Sequence, residues 1–157
     1  MVYLRIRMCD RCGYVARTPS SPGSCLEARD ALFFRTFELS RPPFVHQLAV
    51  DAYGAQHLTD ASPKIAKLFT LMGLCMVTER DATGYEVQMA HMAKSKDRDR
   101  PDWPNLPIRP RRFVMNVGDV LNTEPLEPAL RSWVEATWEA FADVHAEVRA
   151  FCESVRR

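Results

Sequence analysis

The stretch CLEARDALFFRTFELSRPPFVHQLAVDAYGAQH, residues 25–57, predicts two helices that fold back on each other. Apolar side chains recur at helical spacing over about residues 25–39 and again over about residues 43–57. Between them, SRPP (residues 40–43) ends the first helix, because proline cannot continue a helix and restrains the residue before it. We therefore expect an antiparallel helical hairpin with its turn near position 41.

This hairpin predicts which side chains lie close together. With the turn near position 41, Cys25 falls beside His57, whereas His46 falls near Thr36. The two histidines share one face of the second helix, but they are about 16 Å apart along its axis. They are therefore too far apart to bind one metal ion together.

Helical spacing returns after the hairpin. Ser62 followed by Pro63 predicts a helix start, since serine is a good N-cap and proline suits the first turn. Asn116 predicts the cap of a short helical turn, VGDVL. The longer helices are expected over about residues 63–80, 84–94 and 127–155.

One short strand is expected at residues 2–8, where apolar and polar side chains alternate. The whole pattern predicts a single, mainly α domain: a four- to five-helix bundle with a small cysteine-bearing N-terminal lobe. Its expected parts are a cysteine knuckle and loop (1–24), a helical part (25–94), a proline-rich strap (95–116) and C-terminal helices (117–157).

Composition and charge exclude several classes of protein. The chain has 157 residues, of which 46% are hydrophobic and 26% charged, with a formal net charge of +1. Such a chain is globular and has no global attraction to nucleic acid or anionic membranes. Its apolar runs, such as LMGLCMV at residues 71–77, are too short to span a bilayer, and the N-terminus has no signal-peptide pattern. We expect a cytoplasmic protein whose thiols are reduced.

Three cysteines have the spacing of a metal site. Cys9 and Cys12 precede Gly13 in the sequence MCDRCG, which is typical of a zinc knuckle, and Cys25 adds a third thiolate. Zinc requires four ligands, and without a second CxxC the expected fourth ligand is a histidine. We predict one structural zinc ion per chain, with His46 as the reserve ligand. The predicted ligands are Cys9, Cys12, Cys25 and His57.

Other interpretations of the cysteines remain open. A redox pair is one, although a thioredoxin-type CxxC belongs to a βαβ pattern that this chain lacks. Cysteines with no common role are another. For His57 the alternative is a helix-end histidine that faces water. Cys75 and Cys152 lie in apolar helical stripes and are expected to be small core residues.

Several motifs are similar to those of a known family. They are the N-terminal CxxCG and VHQLAVDAYGAQH, with SPGSC, LCMVTER, VGDVL and WEAFADVHAEVRAF in the same order along most of the chain. On these motifs the chain resembles an uncharacterised bacterial family known only as a domain of unknown function. The resemblance implies a shared motif set and no activity. The matching residues are Cys9, Cys12, Cys25, His46, Asp51, Tyr53, Gln56, His57, His145 and Arg149.

Compared with the pattern that this resemblance implies, the chain differs at two places. Thr70 stands where relatives have a histidine, and Leu58 and Thr59 replace a proline–glycine pair. If the missing histidine serves chemistry in relatives, this member is altered there.

Three functions are compatible with these residues. The leading one is a zinc-binding, mainly helical accessory or ligand-binding protein of unestablished activity, whose partner is a small molecule or a protein. The second is a small enzyme with a pocket formed by His46, Tyr53 and His145, as general acid and base groups or a second metal site. The weakest is a nucleic-acid-associated zinc protein, because Trp103 lies among seven Lys or Arg residues between positions 94 and 112. Aspartates interrupt that run and the net charge is near zero, so we expect binding to generic DNA or RNA to be weak at physiological salt.

Overall fold

The computed structural model describes residues 7–38, 44–97 and 102–154, and it confirms a mainly helical fold. Its helices are α1 (Cys25–Glu38), α2 (Val45–Gln56), α3 (Lys64–Arg80), α4 (Gly84–Ser95), α5 (Val117–Val120), α6 (Leu126–Glu139) and α7 (His145–Glu153). The described residues contain no strand. Most of the strand predicted at residues 2–8 lies outside them, and the two that are described, Arg7 and Met8, are irregular. None of the described helices has the length and apolar character needed to cross a bilayer.

The core of the bundle is built around α2 and α3. α2 packs against α1, α3, α4 and α6, and α3 also packs against α4, α6 and α7. Nine of the twelve residues of α2 are buried, including the polar Gln47, Asp51 and Gln56. A helix that is covered on most sides has no single apolar stripe. α2 thus lies in the middle of the core, and its C-terminal end leads to the site described below.

Helix starts agree with the sequence in part. Asn116 caps α5 as predicted: its side chain accepts a hydrogen bond from the amide of Gly118, and its own amide donates to Asp119. The predicted cap of α3 is wrong by one residue. Pro63 occupies the N-cap position with extended backbone, and Ser62 instead accepts a hydrogen bond from the amide of Thr59.

The single helix predicted over residues 127–155 is wrong. α6 ends at Glu139, and the chain turns through Phe141 and a 3-10 turn, Ala142–Val144, before α7 begins. A straight helix of that length would extend about 43 Å, beyond the bundle. The turn returns α7 to the surface of α3, where its apolar side chains are buried. These buried side chains are Val148, Phe151 and Cys152.

The proline-rich segment after α4 packs on the bundle. Trp103 is buried, and its ring contacts Phe69 of α3 and Phe151 of α7. Lys67 of α3 is also buried, and its Nζ donates to the side chain of Asn105 at 3.0 Å. A hydrogen bond from inside the bundle thus helps to hold this segment in place.

Candidate metal centre

Residues 9–14 form a tight turn that places two thiols side by side. The amide of Gly13 donates to the carbonyl of Cys9 at 3.0 Å, and the amide of Cys9 donates to the carbonyl of Tyr14 at 2.9 Å. Gly13 has a φ of +80°, a left-handed conformation that glycine adopts without steric cost. The amide of Tyr14 also donates to Sγ of Cys12 at 3.4 Å. The sequence CxxCG therefore produces the backbone of a metal knuckle.

The hairpin of α1 and α2 brings two further side chains together. Cys25 is the first residue of α1, and His57 directly follows α2. Sγ of Cys25 lies 3.6 Å from Nε2 of His57. At the other end of the hairpin, Oγ1 of Thr36 lies 2.8 Å from Nδ1 of His46. Both pairs are symmetric about position 41, so the predicted antiparallel hairpin is confirmed.

Four ligand atoms converge where the turn meets the hairpin. One ligand atom from each of Cys9, Cys12, Cys25 and His57 lies within 4.8 Å of the others. Nε2 of His57 is 3.7 Å from Sγ of Cys9 and 3.6 Å from Sγ of Cys25. With Zn–S bonds near 2.3 Å and a Zn–N bond near 2.0 Å, the S-to-N edge of a tetrahedron is about 3.5 Å. The arrangement is therefore a candidate Cys3His metal site.

The imidazole of His57 has the tautomer and orientation that a metal ion requires. Its Nδ1 lies 2.7 Å from the carbonyl oxygen of Tyr53, which can only accept, so Nδ1 carries the proton. Nε2 then presents its lone pair to the thiols. The ring also stacks on that of Tyr53, with centroids 4.0 Å apart. Burial lowers the pKa of His57, which keeps the ring neutral near pH 7.

Burial has the largest effect on the ionisation of the three thiols. It raises the pKa of Cys12 to about 12, and it also raises the pKa of Cys25. Burial acts in the same direction on Cys9, but hydrogen bonds from the backbone of Cys12 and Arg11 outweigh it and lower the pKa of Cys9. Cys12 therefore keeps its proton near neutral pH until a cation displaces it.

Two hydrogen-bond donors outside the cluster face its sulfurs. The amide of Tyr14 donates to Cys12, and the hydroxyl of Tyr53 lies 3.6 Å from Sγ of Cys25. The guanidinium of Arg29 lies 5.6 Å from the centre of the Tyr53 ring. Three thiolates around a divalent cation leave one net negative charge, which these groups help to balance. The sequence does not predict the hydrogen bond from the Tyr14 amide to Cys12, because any residue except proline would supply the same amide.

Comparison with known proteins identifies the family. A model of a family of unknown function, DUF5946, matches residues 7–142. The chain belongs to this family. The resemblance noted from the motifs is thereby confirmed at the level of the family, and the matched range includes all four residues of the cluster. Neither a curated protein nor a solved structure matches the chain.

In this DUF5946 chain the three residues of the predicted enzyme pocket have different partners. His46 bonds to Thr36 and lies against the rings of α1, whereas Tyr53 lies beside the cysteine cluster. His145 stacks on Trp138 with centroids 3.8 Å apart, and its Nε2 lies 2.8 Å from the Trp138 carbonyl oxygen. No hydrogen bond, ion pair or ring contact among the described residues joins His145 to the other two, so these contacts give no support to the expected pocket.

Asp51, another residue of the family-like motif, is buried in the interface between α2 and α3. It is 5% exposed, and Nε2 of Gln47 donates to its Oδ1 at 3.1 Å. Burial raises the pKa of Asp51 well above its usual range. Its Oδ2 lies so close to Gly73 of α3 that a Cβ there would be 2.0 Å away. The signal for this close approach in the sequence is Gly73, a glycine in the middle of a helix. The sequence analysis did not predict that Asp51 would pack against it.

The remaining cysteines lie in the core, as the sequence predicted. Cys75 and Cys152 are both buried. Sγ of Cys75 donates to the carboxylate of Glu79 at 3.4 Å. Nε of Arg149, in α7, donates to both carboxylate oxygens of Glu79, at 2.8 and 2.9 Å, and this bonding lowers the pKa of Glu79 to about 2. Arg149 thus joins α7 to α3 and lies outside the metal cluster.

Proposed function

We propose that the cysteine–histidine cluster binds one zinc ion per chain and that this ion stabilises the fold. The observation that carries the proposal is the pair of distances from Nε2 of His57 to the sulfurs of Cys9 and Cys25, 3.7 and 3.6 Å. Both are within about 0.2 Å of the edge expected for a tetrahedral zinc site. The ligands are Cys9, Cys12, Cys25 and His57.

The ligand set favours zinc over other uses of these side chains. Thiolates select zinc, copper(I) or iron–sulfur centres, and a tetrahedral set of three thiolates and one imidazole is typical of structural zinc. A thioredoxin-type pair would stand at the start of a helix. Here the chain after Cys12 is irregular until α1 begins at Cys25. These features support a metal knuckle over a redox pair.

A structural ion supports an accessory or ligand-binding role for the protein. Four protein ligands fill the tetrahedron, so no coordination position is left for water or substrate. The different partners of His46, Tyr53 and His145 favour this role over the alternative, an enzyme with a histidine pocket. All five cysteines are free thiols. Zinc binding requires the thiols of Cys9, Cys12 and Cys25 to stay reduced, which supports a reducing compartment such as the cytoplasm.

Elemental analysis of protein purified under reducing conditions tests the proposal. We expect about one zinc ion per chain in the wild type. Cys12→Ser should lose most of this zinc and several kcal/mol of stability, because metal binding contributes to folding. Cys75→Ser is the matched control, since Cys75 is an equally buried thiol outside the cluster and should keep the zinc. A wild type without zinc, or the same zinc content in both variants, would contradict the proposal.

A further inference from the structure

A cavity of about 50 Å³ lies beside the metal cluster and takes no part in the function proposed above. The knuckle contributes Asp10 and Arg11 to its wall, and the end of α2 contributes Gln56. The proline-rich segment contributes residues 108–111, which include two arginines. Apolar side chains such as Leu58 complete the wall. The cavity thus combines a low-dielectric wall with charged groups from two separate parts of the chain.

Positive charge predominates around this cavity. Arg11, Arg109 and Arg111 line it, whereas Asp10 is its single acidic residue. Arg111 is already paired, since its guanidinium donates to the carboxylate of Asp143 at 2.7 Å. The guanidinium groups of Arg11 and Arg109 make no hydrogen bond and no ion pair at contact distance within the described part of the chain, and the carboxylate of Asp143 attracts Arg109 from a longer distance. A small cleft with unpaired cations and apolar walls concentrates anions.

Gln56 adds a hydrogen-bond acceptor that the fold leaves without a donor. The residue is 2% exposed. Its Nε2 donates to the carbonyl of Met115 at 2.7 Å and to Oγ1 of Thr137 at 3.1 Å. Oε1 has no partner among the described residues. A buried acceptor without a donor costs free energy, and the Gln56 side chain adds a polar group to the wall of the cavity.

We propose that this cavity binds a small oxyanion, either phosphate or the carboxylate group of a small organic acid. About 10–15 Å³ of such volume accommodates one water-sized group, so the cavity accommodates about four. That is close to the size of phosphate or acetate. Guanidinium groups bind oxyanions with two parallel hydrogen bonds, and Arg11 and Arg109 supply them from opposite parts of the chain.

Calorimetric titration of the purified protein with inorganic phosphate and with acetate tests the inference, at an ionic strength held constant with chloride. We expect saturable binding that weakens at least tenfold in Arg109→Gln and in Arg11→Gln. Arg112→Gln is the matched control, because Arg112 is exposed and does not line the cavity. Tighter binding of phosphate assigns a phosphate-bearing ligand, and tighter binding of acetate assigns a carboxylate. Thermal unfolding without anions checks that each variant is folded.

Three results would overturn the inference. The first is the absence of saturable binding for both anions. The second is an equal loss of anion binding in Arg112→Gln, and the third is binding of a thymidine oligonucleotide that depends on Arg112 as much as on Arg109. Either of the last two would indicate an open basic surface. Zinc content is measured in the same samples. Because Arg109 is not part of the metal cluster, a protein without zinc that still binds phosphate would contradict the metal proposal alone.

Discussion

His46 lies in α2 and His57 directly follows it, and the two imidazole rings face different groups. Nδ1 of His57 is bound to a backbone carbonyl of its own helix, which leaves Nε2 directed at the thiols. Nδ1 of His46 bonds to Thr36, and the His46 ring packs edge-to-face with two phenylalanine rings of α1. His57 thus has the geometry of a metal ligand at one end of the hairpin, whereas His46 packs against α1 at the other end.

Replacing each histidine separates these roles. His57→Ala should lower the zinc content to less than half of the wild-type value and reduce the thermal stability, because the tetrahedron loses one ligand. His46→Ala should keep about one zinc ion per chain, since the residue is not part of the cluster. Elemental analysis and thermal unfolding measure both effects. Zinc lost from the His46 variant and kept in the His57 variant would reverse the assignment.

Asp51 makes stability depend on pH through its buried carboxyl group. Burial raises its pKa well above its usual range in the folded protein, whereas the unfolded chain ionises near pH 4. The stabilising contribution of the protonated group is therefore complete below pH 4 and is lost as pH rises towards the folded pKa. Asp51→Asn keeps the shape of the side chain and removes this titration.

Urea unfolding at pH 5 and pH 8 tests this role of Asp51. We expect the wild type to lose stability relative to Asp51→Asn as pH rises, with a slope of at most about 1.4 kcal/mol per pH unit. The contributions of the other titrating groups to the unfolding free energy cancel in this comparison, because both proteins contain those groups. A difference in unfolding free energy that is the same at both pH values would show that Asp51 is already ionised in the folded state.

At the scale of elements, α2 and α3 pack closely because glycines stand at their interface. A Cβ at Gly73 would lie 2.0 Å from Oδ2 of Asp51 and 3.3 Å from Cγ1 of Val87. Asp51 is buried and cannot swing into solvent. At Gly54, by contrast, the nearest atom would be a side-chain carbon of Thr70, 3.5 Å away, which is an ordinary contact. The two helical glycines therefore tolerate a methyl group differently.

Alanine substitution distinguishes the two glycines. Gly73→Ala should destabilise the protein by about 1–3 kcal/mol, because overpacking outweighs the higher helix propensity of alanine. Gly54→Ala should be stabilising by up to about 1 kcal/mol, since it gains propensity without a clash. Urea unfolding of both variants gives the comparison. Equal effects would mean that α3 shifts away from α2 and that Asp51 does not fix their spacing.

The elements that were predictable from sequence are those whose local signals agree with their packing. Proline residues follow α1, and helical spacing on both sides of that turn is sufficient to place Cys25 beside His57. The break between α6 and α7 was not predictable in this way, because apolar residues keep helical spacing across Phe141. The turn is favoured by packing of α7 on α3, which is a contact between distant parts of the chain. The thiols were predictable from spacing, whereas the hydrogen bond from the Tyr14 amide to Cys12 depends on backbone geometry.

For the whole molecule, the metal cluster connects an irregular N-terminal segment to a helical bundle. Residues 9–14 contribute two thiols, and the α1–α2 hairpin contributes the third thiol and the imidazole. The interfaces of α3 with α6 and α7 lie elsewhere in the bundle. A bound ion would therefore hold the N-terminal segment and Arg11 in place against α2, beside the cavity proposed to bind an oxyanion.

X-ray absorption at the zinc edge, recorded on protein purified without added metal, tests the metal site most directly. We expect a zinc ion with three sulfur ligands at about 2.3 Å and one nitrogen ligand at about 2.0 Å. The sulfurs are those of Cys9, Cys12 and Cys25, and the nitrogen is Nε2 of His57. A shell of nitrogen and oxygen ligands alone, or a protein without zinc, would contradict the proposed site.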